Sequence, residues 1–436
     1  MIFQHTLLDE FELRGRWRLV DGDRKTPGLM RFSPEHGIRL DLDQPLEPAL
    51  EAVKHTFGPR LAAYEVIQGE SLDGNPITLF GVEGRPFGTL RSRLMVVGEA
   101  LTSERALLYR DLVVEFEGLE AFVGLNPISG QSDESSETVI YRQPEPFRVE
   151  LNETYSISIE HRCAWSASFG QRSLEHRACV RVHATVEMPV TEFFNGPLAA
   201  FHRLLELAVG RRVRSRRVRV ESSSSIKEAA EPRGKDHSLL FFRQTVPGAR
   251  GESFEPSDLL FNMNTLGDHA PTAIQHWNAR YPDLWPVLAF YFMLDPQYDL
   301  DSGLELHFIN ALSAIEHLHR VTRGRQRGKA DTLEMQLATL IDGMPQRAQN
   351  LFEPRDEFIG GVVATRSHLL HAQIAGKRTL TGKSLWKALS GLRLILQSGF
   401  LEQMELDKLQ MADFLGRTRE FRRLQGYRET ENSNAG

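Results

Sequence analysis

Arg366 and His371 stand near the C-terminal end of residues 356–373, DEFIGGVVATRSHLLHAQ, and give the spacing R-x4-H. An imidazole titrates near neutrality, so it can take a proton from one oxygen and return it to another. A guanidinium is always charged and presents forked donors that fit a phosphate. Together they suit cleavage of RNA without a metal. The ribose 2′-OH attacks the adjacent phosphate, the histidine manages protons, and the arginine stabilises the added negative charge of the transition state. Spacing by itself is a weak signal, since R-x4-H arises often by chance and an arginine late in a helix commonly complements the dipole.

Geometry adds a constraint. Five residues of ideal helix turn through about 500°, leaving the two side chains about 140° apart around the axis and about 7.5 Å apart along it. They converge on one phosphate if the helix frays or ends near His371 or if a second copy supplies part of the site. A homo-oligomer is therefore expected, a dimer with the site at its seam being favoured.

The elements that must position the pair fall into two kinds. Downstream of Gly267 the apolar period is that of helices, expected at 271–278, 284–293, 303–321, 331–341, 384–397 and 401–409. Asp331 with Glu334 reads as the cap of the fourth. The helix of Arg366, with Phe358, Ile359, Val362, Val363, Leu369 and Leu370 as its apolar surface, is the expected centre of this bundle. Upstream, short strand-sized pieces alternate with turns such as Asp21-Gly22, Pro27-Gly28 and His36-Gly37. Residues 130–136 read as a loop, and 155–165 pairs with 178–188 as a hairpin. One helix, 197–209, carries the stripe Leu198, Phe201, Leu204, Leu205 and Leu207 and stops at Gly210. The fold class that follows is a two-domain α+β protein. Residues 1–262 form a β-rich domain with a mobile loop at 222–236, 263–425 an all-α helical bundle, and 426–436 a frayed tail.

Composition agrees with a soluble protein: 436 residues, 41% hydrophobic and 25% charged. No run approaches the roughly 18 apolar residues that span a bilayer. The start lacks a basic-then-apolar leader pattern, so a cytoplasmic location is expected. Cys163 and Cys179 are too few for a disulfide scaffold. With His161 and His176 they form a nominal zinc set across the hairpin, but H-x-C and H-x2-C are poor zinc spacings, and two buried free thiols are the expectation. No metal or other cofactor is expected.

The net charge of −6 does not suit a surface generally coated by nucleic acid. Basic charge is nevertheless local. Six arginines lie between Arg211 and Arg219, where interleaved valines fit a charged edge strand. Arg320, Arg323, Arg325, Arg327 and Lys329 form a second run, the better candidate for gathering RNA phosphates. Thr381-Gly382-Lys383-Ser384 ends like a P-loop, but Lys377 occupies the position of its opening glycine, so it reads as a helix start.

The context of the pair is more specific than its spacing. FIGGVVATRSHLLHA resembles the signature helix of HEPN domains, particularly the Apea-like branch. LELHFINALSAIEHLHR resembles that branch's earlier helix with a glutamate, here Glu316, and LWKALSGLRLILQSGFLEQMEL its closing helices. At the other end, FELRGRWRLVDGDRKTPGLMRFSPEHGIRLDL resembles the opening of the ApeA N-terminal domain, with Gly15, Trp17 and Gly28 in place. The resemblance implies a metal-independent RNase of prokaryotic antiviral defence. It would act by abortive infection with tRNA as a suggested target, and be released by a phage-derived trigger. It gives Arg366 and His371 the catalytic roles. Glu316 either orients Arg366 or is a solvated charge, and Ser367 stands where the family most often has asparagine. The alternative is a non-catalytic RNA- or protein-binding sensor, which Ser367 and the large β-rich half favour.

Overall fold

The computed structural model describes residues 5–47, 61–85, 87–132, 137–168, 171–221, 238–242, 254–256, 259–293, 303–324, 332–371 and 374–435. The chain divides into two compact units, one β-rich and one helical, as the two periodicities of the sequence require. The first comprises residues 1–120, 125–199 and 213–251; the second comprises 121–124, 200–212 and 252–436. The expected loop at 222–236 lies outside the described residues.

The strands of the β-rich unit are β1 (Phe11–Leu19), β2 (Thr26–Ser33), β3 (Gly37–Leu42), β4 (Ala62–Ser71), β5 (Pro76–Gly84), β6 (Thr89–Val97) and β7 (Leu108–Phe116). They continue with β8 (Ile128–Ser132), β9 (Glu137–Tyr141), β10 (Phe147–Glu150), β11 (Tyr155–Ser168), β12 (Gln171–Pro189), β13 (Ser215–Glu221) and β14 (Ser238–Phe242). Twelve of these run in the order β10-β11-β12-β7-β13-β14-β6-β3-β2-β1-β4-β5, and β5 pairs back onto β6. The six strands from β6 to β5 therefore close into a barrel. One edge of β6 is shared: residues 89–92 pair with β3, and 95–97 pair with β14, which leads into the open part of the sheet.

Alternation explains the barrel wall. Along β2, Thr26, Gly28, Met30 and Phe32 are buried, while Pro27 and Arg31 face outward. Trp17 fills the interior, fully buried, with its indole donating to the Gly28 carbonyl at 3.4 Å. Gly69 lies against that indole, and a Cβ there would stand 2.3 Å from the ring. Only glycine leaves room for the tryptophan.

Three expectations change here. The arginine run does not form an edge: β13 lies between β7 and β14, paired on both sides. Residues 130–132, expected in a loop, belong to β8, which pairs with β9 as a separate ribbon; its backbone hydrogen bonds form without an apolar pattern. The hairpin β11–β12 is longer than expected, running from Tyr155↔Ala184 to Ser168↔Gln171.

The helical unit contains α1 (Pro197–Val209) from residue 200, α2 (Ala270–Met293), α3 (Leu304–Arg323), α4 (Leu333–Asp342), α5 (Arg355–His371), α6 (Gly382–Glu402), α7 (Lys408–Gly416) and α8 (Arg419–Ala435), with shorter turns between them. Helix α1 is tied in by the Trp277 indole, which donates to the Ala200 carbonyl at 2.7 Å. Expectation gave two helices where α2 is continuous through Pro282 and Pro286. Pro282 is exposed and Pro286 half-buried, both on the side of the helix away from Trp277, Leu284, Val287 and Leu288, which are buried. The cap of α4 is Thr332, whose side chain accepts from Met335 N; Asp331 lies outside the described residues. Residues from Gly426, expected as a frayed tail, continue α8 to Ala435.

The centre of the bundle is α6 rather than α5. Every residue from Ala388 to Leu401 on α6 is buried, whereas α5 buries only Ile359, Gly361, Val362 and Thr365, and Leu370 is 48% exposed. A helix apolar all round is enclosed by its neighbours; one with a narrow stripe lies on the outside. No described helix is long and apolar enough to cross a membrane.

Candidate active site

Helix α5 starts with Asp356 and Glu357 in its first turn, where the dipole favours acidic groups. Helical order reaches His371, its final residue. The helix thus ends at the histidine, as one of the two conditions for convergence requires, but it is not frayed before it, and the backbone carries the offset of about 140° between Arg366 and His371 up to that last residue. Arg366 turns toward α3, where Nη2 lies 2.8 Å from Glu316 Oε1, both side chains about one-third exposed. His371 is exposed, and its side chain makes no hydrogen bond among the described residues. His368 is half-buried between them. Ser367 lines a surface cavity of about 340 Å³ together with Ala364, Ile374 and residues 376–379.

Thr365 organises that side of the helix. It is buried, donates to Gly361 O at 2.7 Å and accepts from Leu380 N at 2.8 Å, which fastens the segment after α5 back onto it. That segment carries Lys377, which the sequence reading weighed only as a missing P-loop glycine, and Arg378, which no motif in the sequence marks. Further on, Thr381 N donates to Ser384 Oγ at 3.0 Å, the helix start expected of Thr381 to Ser384.

Of the second basic run, Arg320 is exposed on α3 and Arg323 is held by Glu402 at 2.8 Å. Arg325, Arg327 and Lys329 lie outside the described residues. The first run is consumed within the protein. Arg214 pairs with Glu117 at 2.7 Å, Arg216 with Glu120 at 3.8 Å and Arg219 with Glu115 at 3.8 Å. On β13, and at Arg214 just before it, these cations answer carboxylates on and just after β7.

The hairpin register separates the nominal zinc set. Cys163 faces His176 across the ladder, and His161 Nδ1 lies 3.0 Å from His176 Nε2. Cys179 pairs with Glu160 and so points to the opposite face, buried, its thiol pushed up mainly by that burial. Cys163 is exposed, which corrects the expectation of two buried thiols. Among the described residues no group of three or more His, Cys, Asp or Glu is placed to hold a metal ion. Burial lowers the pKa of both histidines, with the His176 charge adding to the effect on His161 and Glu120 opposing it at His176.

Comparison with known families decides the relationship. The model of ApeA N-terminal domain 1 matches residues 12–277, more than half of the chain. The chain belongs to this family. The match takes in Gly15, Trp17, Gly28 and Gly69, which build the barrel, β1 from its second residue and every strand from β2 to β14, and it reaches into α2. Arg366 and His371 lie beyond its end. No curated protein and no solved structure matches the chain.

Proposed function

We propose that this ApeA-family chain is a metal-independent endoribonuclease of prokaryotic antiviral defence, with its helical unit acting as an Apea-like HEPN domain. The observation that carries the reading is the Arg366–Glu316 pair beside an exposed, unbonded His371 at the end of α5. An oriented guanidinium and a water-accessible imidazole are the two groups that 2′-OH-driven cleavage needs. The 2′ oxygen bonds to phosphorus as it gives up its proton, the P–O5′ bond breaks, and the 5′ oxygen takes a proton. The products are a 2′,3′-cyclic phosphate and a 5′-hydroxyl. His371 serves as general acid and base, and Arg366 meets the charge that develops on the phosphoryl oxygens. Because the two diverge on one helix, the complete site is placed at the seam of a dimer, where Arg366 of one protomer and His371 of its partner converge. The protein then works in the cytoplasm by abortive infection, on RNA with tRNA as the first substrate to try, with the β-rich unit as receiver of a phage-derived trigger.

Purified full-length protein is expected to cleave RNA in EDTA, and Arg366→Ala or His371→Ala to stop it with the melting temperature unchanged. Normal cleavage by both variants defeats the reading. The second reading, a non-catalytic sensor, is favoured by Ser367 and by the ion pair that neutralises Arg366. It predicts RNA or protein binding without cleavage and no growth defect on overexpression.

A further inference from the structure

The geometry points to a phosphate-binding subsite for single-stranded RNA on the His371 side of α5, built by Lys377, Arg378 and Ser367. It rests on the nuclease reading above and gives that site a second source of positive charge, supplied by the same chain as the histidine.

Lys377 and Arg378 are the two central residues of a tight turn. Gly376 N donates to Thr379 Oγ1 at 3.0 Å, and Thr379 N donates back to Gly376 O at 3.0 Å. One residue later the turn is pinned to α5 through Leu380 N and the buried Thr365 hydroxyl. The two cations are thus presented from a fixed backbone rather than from a free chain. Arg378 lies along one stripe of α5: its Nη1 is 3.2 Å from where a Cβ on Gly360 would stand. Gly360, Ala364, Ser367 and His371 follow the spacing of a single helical face, with Ser367 and His371 neighbours at i and i+4. Ala364 and Ser367 line the cavity of about 340 Å³ into which the turn closes. Its volume suits a small polar group such as a nucleotide phosphate and sugar.

The cavity lining contains no carboxylate, and among the described residues neither Lys377 nor Arg378 forms an ion pair or hydrogen bond. Arg366 differs on both counts, being paired with Glu316 and about 140° away around the helix. For a strand whose scissile bond lies at His371, the neighbouring backbone phosphate falls on the Lys377–Arg378 turn, with the Ser367 hydroxyl as a further donor. The turn positions substrate; it takes no part in proton transfer.

The test uses the full chain and a fluorescein-labelled 2′-O-methyl RNA of about 20 nucleotides, which lacks the attacking hydroxyl and so binds without being cut. Affinity is read by fluorescence anisotropy over a salt series. Lys377→Gln/Arg378→Gln is expected to weaken binding about tenfold or more. It should also reduce the slope of log K against log salt by about 1.4, the loss of two single-strand phosphate contacts. Lys377→Arg/Arg378→Lys should bind within about threefold of wild type. Arg24→Gln/Arg148→Gln, an equal charge change at exposed sites of the β-rich unit, should bind within about twofold. Unchanged affinity in the glutamine pair, an equal loss in the control, or no binding by wild type overturns the subsite. Cleavage of ordinary RNA separates the two readings. If His371→Ala abolishes it and the glutamine pair leaves KM alone, the nuclease stands and the subsite falls. If wild type does not cleave while 2′-O-methyl RNA binding still depends on the pair, the nuclease falls and an RNA-binding subsite stands.

Discussion

At the scale of single residues, His371 and Arg366 differ in what holds them. His371 has only the end of a helix behind it; Arg366 has Glu316 at 2.8 Å. Loss of a general acid–base costs about 10²- to 10⁴-fold, and that range is expected for kcat of His371→Ala. Glu316→Gln keeps shape but releases the guanidinium, and a displacement of about 1 Å at a reacting centre costs up to about 100-fold. We therefore expect Glu316→Gln to cleave RNA about ten- to a hundredfold more slowly than wild type in single-turnover assays. Wild-type rates in that variant would make Glu316 a solvated charge with no positioning role. The spacing of Arg366 and His371 was visible in the sequence. The partner of Arg366 was one of two even readings until α3 and α5 were set side by side.

At the scale of elements, α6 holds a polar group that its apolar pattern conceals. Arg393 Nε lies 2.9 Å from Glu420 Oε1 on α8, and Gln397 bridges Glu420 and the Tyr291 hydroxyl at 3.1 and 2.9 Å. Burial pushes the Glu420 carboxyl up, but the Arg393 charge and the hydrogen bonds outweigh it, so its pKa is lowered. Removing one member leaves a buried charge unpaired. Arg393→Ala is expected to cost about 3–5 kcal/mol in a urea-unfolding experiment, and Arg393→Met/Glu420→Leu much less. Equal losses in the two would show that packing, rather than the stranded charge, sets the cost. An arginine and a glutamine four residues apart on an apolar helix were the available sign. In the β-rich unit, Gly69→Ala drives a methyl into the Trp17 indole, and overpacking of this kind costs about 1–3 kcal/mol. A melting temperature equal to wild type would mean that the barrel relaxes around it.

At the scale of the whole molecule, two pH windows separate. His161 and His176 have folded-state pKa values below the ordinary value of 6.5, mainly through burial. The unfolded chain binds those protons more readily, so this contribution to stability is present above about pH 6.5 and is lost as pH falls through the lower folded values. Glu420, Asp342 and Glu175 are also lowered, and their contributions begin to fail only below the ordinary carboxylate range. The urea midpoint is therefore expected to fall between about pH 7.5 and pH 5.5. His161→Gln/His176→Gln should narrow that fall, and an equal drop in the variant would assign the window to other groups.

The sequence by itself determined the division into a β-rich and a helical half, because periods of two and 3.6 are local properties of the chain. It also determined the family signature at Gly15, Trp17 and Gly28, and the R-x4-H spacing. Tertiary structure decided what depends on neighbours far away in the chain. It placed the arginines of β13 in the interior of a sheet, since strand order is set by long-range pairing. It made α6 the bundle centre, since enclosure needs partners on every side. It also turned Arg366 toward Glu316 and folded Lys377 and Arg378 onto the face of His371, a pinning through Thr365 that no spacing rule encodes.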